Sequence, residues 1–405
     1  MSSYEKGQVP DDIICGEQIF DVDFNPKINC VAIGMIDGNV SLYKYGINND
    51  DNTMLMSSKH HNKSCRGLLF SEDGDNLYSI SSDRSIIGID GTGTKVLQID
   101  DAHDDPINKC ILLSGLGRAD GTMIATGDDS GCVKIWDTRI SSNNNSPMSW
   151  KMHEDFISGL CYNHDASTLI SVSGDGTLCA YDIRKSTNSF RSDEQESELL
   201  CVQCIKGGKK VICGTQDGVI LIFSWGRWGD CSDRYPGHPQ TIDCMLKIDE
   251  STIFTGSSDG LVRVVALQPN KILGVVGDHE DFPVEGIKFT NDRRFLGSFA
   301  HDEVLRFWDV SMLADDDDDD EDEEQEENEM DEDKEDDEDN NNAEEMGHDV
   351  DDDDDGEEDG DDDDNKWEDM SESSEFDSGS DDDDGPKKPN QRHIPTATEK
   401  FFADL

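Results

Sequence analysis

The chain has 405 residues and a formal net charge of −59, from 93 acidic and 34 basic residues. A chain this negative repels the phosphate backbone of nucleic acids, so direct nucleic-acid binding is not expected. Residues 315–405 carry −41 of the charge, which separates them from a candidate globular domain at residues 1–314.

The sequence gives no indication of a secreted protein or of a membrane protein. Residues 1–20 lack the apolar core of a secretory signal, and no run of about 18 apolar residues suggests a transmembrane helix. We expect a soluble protein of the cytosol or nucleus, whose twelve cysteines are mostly reduced and buried. We interpret the CxxC of Cys201 and Cys204 as a pair on a core strand rather than a metal or redox site, because cysteines recur at matching positions of other repeats.

An internal repeat organises residues 1–314. A tight-turn dipeptide recurs at spacings of 46, 47, 45, 42, 42 and 43 residues. The seven dipeptides are Asp37-Gly38, Asp83-Arg84, Ser130-Gly131, Asp175-Gly176, Asp217-Gly218, Asp259-Gly260 and Asp302-Glu303. This period is typical of WD repeats, each of which forms a four-stranded propeller blade. The sequence therefore predicts an all-β fold, a seven-bladed WD-repeat β-propeller.

Strand-like sequence flanks each turn. A small-residue, β-branched run such as 122–127 precedes the turn, and an alternating run such as 132–137 follows it. This pattern predicts a hairpin of two half-buried strands. Asp-Gly suits such a turn, because both of its central residues can tolerate positive φ.

Further signatures of WD blades accompany the turns. A histidine precedes the predicted inner strand of four blades, and blades one, two and five lack it. These histidines are His103, His153, His238 and His279. The Trp-Asp dipeptide occurs twice, with Tyr-Asp as a substitute in blade four, at Trp136-Asp137, Trp308-Asp309 and Tyr181-Asp182.

The last repeat is incomplete. Only Val310–Leu313 separate its Trp-Asp dipeptide from the acidic run, too few residues for an outer strand. We predict that Val9–Cys15 supplies this strand and closes the ring, which protects the sheet edges. A closed ring gives no reason to expect self-association, so we expect a monomer.

Blade seven contains the residue types of a hydrolase triad. His279, Ser298 and Asp302 occur there together with Trp308. Nucleophilic catalysis is one interpretation. A structural hydrogen-bonded tetrad is the stronger one, because a catalytic site should occur once and blade four has a near copy. The copy consists of His153, Ser171, Asp175 and Tyr181. The common sequence motifs of phosphate-binding loops, zinc proteases and hydrolases are absent, so we expect neither an enzyme nor a metal or cofactor.

Acidic pairs follow three of the histidines. They are Asp104-Asp105, Glu154-Asp155 and Glu280-Asp281. In a propeller these pairs would lie near one rim of the ring. They are either solvated loop charge or a docking face for a basic protein or peptide, and both interpretations stay open.

The segment 315–384 consists mainly of Asp and Glu, with Asn, Ser and Gly between them. Low hydrophobicity at this charge density predicts a disordered acidic tail. Its partners would be strongly basic proteins such as ribosomal proteins or histones, unless it only raises solubility. Three serines have an acidic residue three positions later and are candidate phosphorylation sites: Ser374, Ser378 and Ser380.

The terminal segment 385–405 is basic and then apolar. Its last residues include Phe401, Phe402 and Leu405, an apolar cluster after a long polar stretch. We interpret this cluster as a candidate docking motif; the alternative is a frayed terminus.

Several stretches go beyond the generic WD pattern and resemble one family. In blade seven they are Asn270–His279, Pro283–Glu285 and Arg294–Leu296, and elsewhere Ala125–Asp129, Lys209–Gly214, Ser232–Arg234, Ile242–Met245 and Phe401–Leu405. Together they resemble the WD repeat-containing protein 55 family over nearly the whole propeller, although the acidic tail is longer than in some members. The resemblance implies a nuclear, mainly nucleolar protein that is needed for ribosomal RNA maturation. It would act as a non-catalytic protein-interaction scaffold in ribosome biogenesis.

Two alternative functions remain open. Trp136, Asp137 and Arg139 resemble the Trp-Asp-x-Arg box of propellers that serve as substrate receptors of cullin-RING ubiquitin ligases, in which the arginine contacts the adaptor subunit. A second such box consists of Tyr181, Asp182 and Arg184. The other alternative is a chaperone that holds histones or other basic proteins through the acidic tail.

Overall fold

Seven four-stranded antiparallel sheets make up the described part of the chain. The computed structural model describes residues 9–47, 52–114, 123–140, 148–185 and 189–313. These ranges contain 28 strands and one 3-10 helix, Ser311–Leu313. The predicted all-β propeller with seven blades is confirmed.

The blades follow one another along the chain, each running from its inner to its outer strand. Blade one has β2 (Ile19–Phe24), β3 (Cys30–Met35), β4 (Asn39–Lys44) and β5 (Thr53–Lys59), and blade two has β6 (Cys65–Phe70), β7 (Asn76–Ser81), β8 (Ile86–Asp90) and β9 (Lys95–Ile99). Blade three has β10 (Ile107–Leu113), β11 (Met123–Asp128), β12 (Cys132–Asp137) and β13 (Met148–Lys151), and blade four has β14 (Ile157–Asn163), β15 (Thr168–Ser173), β16 (Leu178–Asp182) and β17 (Ser189–Arg191). Blade five has β18 (Leu199–Ile205), β19 (Lys210–Thr215), β20 (Val219–Ser224) and β21 (Asp233–Pro236), and blade six has β22 (Ile242–Lys247), β23 (Thr252–Ser257), β24 (Leu261–Ala266) and β25 (Lys271–Asp278). Blade seven has β26 (Val284–Phe289), β27 (Phe295–Ala300) and β28 (Val304–Asp309), with β1 (Ile13–Ile14) as its outer strand.

The N-terminal strand closes the ring, as predicted. Ile13 of β1 pairs with Leu305 of β28, and Ile14 pairs with Val304. Ile13 is 3% exposed and Ile14 is 76% exposed, so one side chain anchors the closure. Only two residues of the predicted Val9–Cys15 segment are in strand conformation.

The core lies between successive blades because neighbouring residues of a strand face opposite sides. On β14, for example, Cys161 packs into an apolar cluster with Val202 of blade five, whereas Leu160 packs into a cluster with Ile135 of blade three. Each blade therefore buries both of its faces. A blade needs a neighbour on each side to bury both faces. Blades one and seven gain their second neighbour only when the ring closes.

The seven predicted turns connect the second and third strands of the blades. Only the second residue of each dipeptide takes positive φ. The φ values are 84° at Gly38, 70° at Arg84, 84° at Gly131, 74° at Gly176, 76° at Gly218, 82° at Gly260 and 61° at Glu303. In blade six the N–H of Gly260 donates to the carbonyl of Ser257 (3.0 Å). This is a turn longer than two residues, in which one left-handed residue follows the bend.

These turns define two ends of the ring. We call the end that carries them the turn face and the other end the opposite face. The loops that lead into the inner strands also lie at the turn face, because inner and second strands are antiparallel.

Several sequence-based predictions concern residues outside the described ranges. They are the boundary after residue 314, the segments 315–384 and 385–405, the serines Ser374, Ser378 and Ser380, and the cluster Phe401, Phe402 and Leu405. These stay predictions.

Candidate functional site

The triad-like residues of blade seven form one buried hydrogen-bonded network. His279 Nε2 lies 2.7 Å from Ser298 Oγ, and His279 Nδ1 lies 3.0 Å from Asp302 Oδ2. Trp308 Nε1 donates to the same Ser298 Oγ (2.7 Å). Burial acts to raise the pKa of Asp302, but its hydrogen bonds to His279 and Arg306 outweigh burial and lower it. His279 and Ser298 are fully buried, so a substrate cannot reach this serine.

The same network recurs in blade four. His153 Nε2 lies 2.6 Å from Ser171 Oγ, and the Tyr181 hydroxyl lies 3.1 Å from that oxygen. His153 Nδ1 is closer to Thr177 Oγ1 (2.8 Å) than to Asp175 Oδ1 (3.4 Å). Asp175 therefore holds the histidine mainly through Thr177, to which it is hydrogen-bonded.

Blade three contains a third network that the sequence analysis did not assemble. His103 contacts Thr126 Oγ1 (2.7 Å) and Asp128 Oδ2 (2.8 Å), and Trp136 Nε1 donates to Thr126 Oγ1 (2.8 Å). Within the described ranges, His103, Asp128 and Cys132 are the one group of three side chains close enough to ligate a metal. Both ring nitrogens of His103 already have partners, and Asp128 also accepts the backbone N–H of Cys132 (2.8 Å). These bonds favour the structural role.

The prediction that blade two lacks the histidine was wrong. His61 is 2% exposed and contacts Ser79 Oγ and Ser85 Oγ, each at 2.8 Å. The signal was present in the sequence, because His61 precedes the inner strand β6. In blade five, Gln195 takes the backbone position of the histidine, and its N–H donates to Gly176 O (2.9 Å).

Blade six has the histidine but not the complete network. His238 Nε2 lies 2.9 Å from Thr255 Oγ1, while His238 Nδ1 has no partner within the described part of the chain. Asp259, which would face it, is instead bound to Arg263 (2.9 Å). Burial and the charge of Arg263 lower the pKa of His238 to about 4. The histidine network of this blade therefore has fewer hydrogen bonds than that of blade seven.

The acidic pairs lie in three loops at the turn face. Five of their six residues are exposed, and Asp105 is half-buried. The exposed residues are Asp104, Glu154, Asp155, Glu280 and Asp281. Glu154 accepts a hydrogen bond from Arg191 (3.2 Å), and its side chain remains 78% exposed. We call the six residues the acidic rim.

A fourth acidic loop extends this surface, and the sequence analysis missed it. The loop before blade five contains Asp193, Glu194 and Glu196, all exposed, and the half-buried Glu198. It has no histidine to mark it. The propeller places it next to the rim loop of blade four, so acidic loops follow one another on blades three, four and five.

A titratable cluster lies at the start of the inner strands of blades six and seven. Burial and the nearby charge of Glu285 raise the pKa of Asp243 to about 7. Ser258 Oγ donates to Asp243 Oδ2 (2.7 Å), and His301 Nε2 lies 2.9 Å from Glu285 Oε1. The hydrogen bond to Glu285 raises the pKa of His301. Both Asp243 and Glu285 are the second residue of a strand whose register shifts at that point, and such bulges re-aim side chains.

The two Trp-Asp-x-Arg boxes have the same geometry on consecutive blades. Arg139 Nε donates to Asp137 Oδ1 (2.8 Å), and Arg184 Nε donates to Asp182 Oδ1 (3.1 Å). The guanidinium-bearing side chains are 42% and 61% exposed. Both arginines follow a third strand, which places them at the opposite face. Trp136 and Tyr181 are buried in their networks and take no part in that surface.

Comparisons with known proteins agree with this architecture. The chain matches the family profile of WDR55 over residues 10–313. WD repeat-containing protein 55 of Arabidopsis thaliana is 40% identical over 308 residues, which cover 75% of this chain and 84% of that protein. The Homo sapiens protein of that name is 36% identical over 305 residues, or 75% and 77% of the two chains. WD repeat-containing protein JIP5 of Coprinopsis cinerea is 39% identical over 310 residues, or 74% of each chain.

One solved structure shows a likeness of fold alone. The computationally designed Ika8 protein has a TM-score of 0.54 at 21% identity, over 72% of this chain and 83% of that one. Within the described ranges, no helix has the length and apolar character needed to cross a lipid bilayer. The matching profile spans all seven blades, and the relatives are similar over most of their own length. The chain therefore belongs to the WD repeat-containing protein 55 family.

Proposed function

We propose that this chain is a non-catalytic scaffold of ribosome biogenesis in the nucleolus, needed for ribosomal RNA processing. Its turn face is the docking surface for basic segments of ribosomal or pre-ribosomal proteins. The family resemblance supports the role in ribosomal RNA processing. The acidic rim supports the mode of binding.

The observation that carries the docking surface is the position of the acidic loops. The rim residues and the loop before blade five place exposed carboxylates at one end of a closed ring. The hydrogen-bonded networks and backbone bonds beneath these loops hold them in fixed positions. Preorganised charge of one sign attracts a partner of the other sign and aligns it before contact.

A rescue experiment tests this proposal. The endogenous protein is depleted and replaced by the wild-type chain, by a rim variant or by a matched control. The rim variant is Asp104→Asn, Glu154→Gln and Glu280→Gln, and the control is Glu72→Gln, Asp75→Asn and Asp165→Asn, which removes the same charge from exposed positions of the opposite face. Depletion should raise unprocessed ribosomal RNA precursors, and the control variant but not the rim variant should lower them again.

Two outcomes would contradict the proposal. Unchanged precursor levels after depletion would remove the role in ribosomal RNA processing. If the rim variant rescued fully and sedimented fully with pre-ribosomal particles, the turn face would not be the docking surface. Deletion of residues 315–384 serves as a further arm, because loss of histone binding in moderate salt would instead favour the chaperone alternative.

A second candidate function is that of a ubiquitin-ligase substrate receptor. Arg139 and Arg184 support it, because both side chains are oriented by their own aspartates and exposed on consecutive blades of the opposite face. The variant Arg139→Ala with Arg184→Ala should lose a cullin-RING adaptor from pull-downs. The exposed Arg227→Ala on the same face is the control. Retention of the adaptor by the double variant would contradict this role.

A further inference from the structure

Two cysteines of neighbouring blades are in direct contact. Cys161 lies on β14 and Cys204 on β18, and their Sγ atoms are 3.2 Å apart. Cys161 is 8% exposed and Cys204 is half-buried, both within the apolar cluster between blades four and five. Cys201 belongs instead to the cluster between blades five and six. Residues three apart on a strand face opposite sides, so the close pair is not the CxxC of the sequence.

This contact differs from those of Cys201 and Cys244, two other cysteines on inner strands. The Sγ of Cys201 donates to the carbonyl of Ile242 (3.3 Å), and the Sγ of Cys244 donates to the carbonyl of Val284 (3.5 Å). Cys161 and Cys204 are instead hydrogen-bonded to each other. This bond lowers the pKa of Cys161 and raises that of Cys204. A lower pKa increases the fraction of thiolate, which is the reactive form.

The two strands that carry the pair lead to an open groove. An open groove of about 550 Å³ lies between blades four and five at the opposite face. Its lining includes Asn163, two residues after Cys161, and Gly207, three residues after Cys204. The groove therefore opens at the same end of the same two strands. Neither cysteine lines the groove itself, but Cys204 is partly exposed, and a small oxidant would reach the two adjacent sulfurs from there.

We propose that Cys161 and Cys204 are a redox modification site, oxidised by hydrogen peroxide to a reversible disulfide between blades four and five. The Cys161 thiolate attacks one oxygen of the peroxide, the O–O bond breaks, and a sulfenic acid and hydroxide form. The Cys204 sulfur then attacks Cys161 Sγ, the S–O bond breaks, and water leaves with the thiol proton. The two thiols lose two electrons in total, and one peroxide is reduced. The sulfurs need to approach by roughly 1 Å to reach disulfide length.

The disulfide would add a covalent link between the inner strands of two blades, which already share the hydrogen bond from Ser158 Oγ to the carbonyl of Leu199. A cross-link between residues 161 and 204 restricts the unfolded chain and so stabilises the folded one. Oxidation is thus expected to raise the thermal midpoint without changing the fold.

The test uses the full-length chain. Reduced protein is treated with peroxide, blocked with an alkylating reagent, digested and analysed by mass spectrometry. We expect a cross-linked peptide pair containing Cys161 and Cys204, which disappears after dithiothreitol. The thermal midpoint of unfolding should rise by several degrees in the wild type and in Cys201→Ser, and should not change in Cys161→Ser or Cys204→Ser.

The wild-type digest decides the question even if a serine variant fails to fold. A cross-link between other cysteines, or sulfinic acid at Cys161 with no cross-link, would overturn the proposal. So would an equal rise of the midpoint in a folded Cys204→Ser protein.

Discussion

The backbone N–H of His279 donates to the carbonyl of Gly260, 2.8 Å away, so the turn of blade six holds the histidine of blade seven. The side chain of the same histidine contacts Ser298 of its own blade. Equivalent backbone bonds join His238 to Gly218 (3.3 Å) and His61 to Gly38 (3.2 Å). In blades two, six and seven the histidine thus links the blade to the previous one, and the apparent catalytic triad of blade seven is part of a coupling between blades.

Replacement of Ser298 tests this role. In Ser298→Ala, His279 Nε2 and Trp308 Nε1 lose their shared partner inside the core. A buried polar group without a hydrogen bond costs about 1–3 kcal/mol, so we expect the free energy of unfolding to fall by that amount. Denaturant titration measures it. The exposed Ser251→Ala should change stability by less than about 0.5 kcal/mol, and an equally small effect of Ser298→Ala would exclude a structural network.

The turn glycines should tolerate alanine to different degrees. Gly131 has a φ of +84°, and a Cβ there would lie 2.6 Å from the carbonyl oxygen of His153. Gly226 has a φ of +76° but nothing within 4 Å of such a Cβ. We expect Gly226→Ala to cost about 1 kcal/mol from the left-handed conformation alone.

Gly131→Ala should cost clearly more than that, because the turn and the loop before blade four must also separate. The difference between the two variants isolates the contact between the blades. Thermal denaturation of both proteins gives this difference, and equal losses would show that the turn can move away freely.

Stability should depend on pH through Asp243. Its pKa is raised from 3.8 to about 7 in the folded protein. The folded state therefore keeps a proton that the unfolded state loses, and the associated stability is present below pH 4 and lost as the pH rises to 7. Asp243→Asn removes this loss. The free energy of unfolding of Asp243→Asn, relative to that of wild type, should rise by roughly 2–4 kcal/mol between pH 4 and pH 7 and then stay constant.

The neighbour of Asp243 provides the control for that experiment. Glu285→Gln removes a negative charge that raises the pKa of Asp243, so the pH window should move to lower values. Denaturant titrations at several pH values follow both variants, with His301 unchanged. A stability difference between Asp243→Asn and wild type that does not vary with pH would contradict the raised pKa.

The acidic rim should bind a basic peptide in a salt-dependent manner. Three neutralised carboxylates, each worth about 0.5 kcal/mol at an exposed site, should weaken binding of an Arg- and Lys-rich peptide roughly tenfold. Fluorescence anisotropy with the full-length chain, at two ionic strengths, measures this binding. The variant with Glu72, Asp75 and Asp165 neutralised should bind as the wild type does. Equal weakening in both variants would indicate a general effect of net charge.

Local rules in the sequence were sufficient for the fold. The spacing of the turn dipeptides follows from strands of similar length, and the alternation within each strand follows from the two-residue period of side chains. Both features depend on residues that are close together in the sequence, so they can be recognised without knowledge of tertiary contacts. The closing strand was predictable in the same way, because an incomplete last blade requires a partner for β28.

The tertiary structure decided everything that depends on residues from different blades. It bound the backbone N–H of His61 to Gly38 of blade one, brought the acidic loop before blade five next to the rim, and set Glu285 near Asp243. It also separated Cys204 from Cys201 and brought it to Cys161 instead, 43 residues earlier in the chain. Such pairs depend on which face of a strand meets the next blade, and a shift of one residue would reverse that face. The repeat in the sequence determines the strands of each blade, whereas packing between blades determines which side chains of different blades meet.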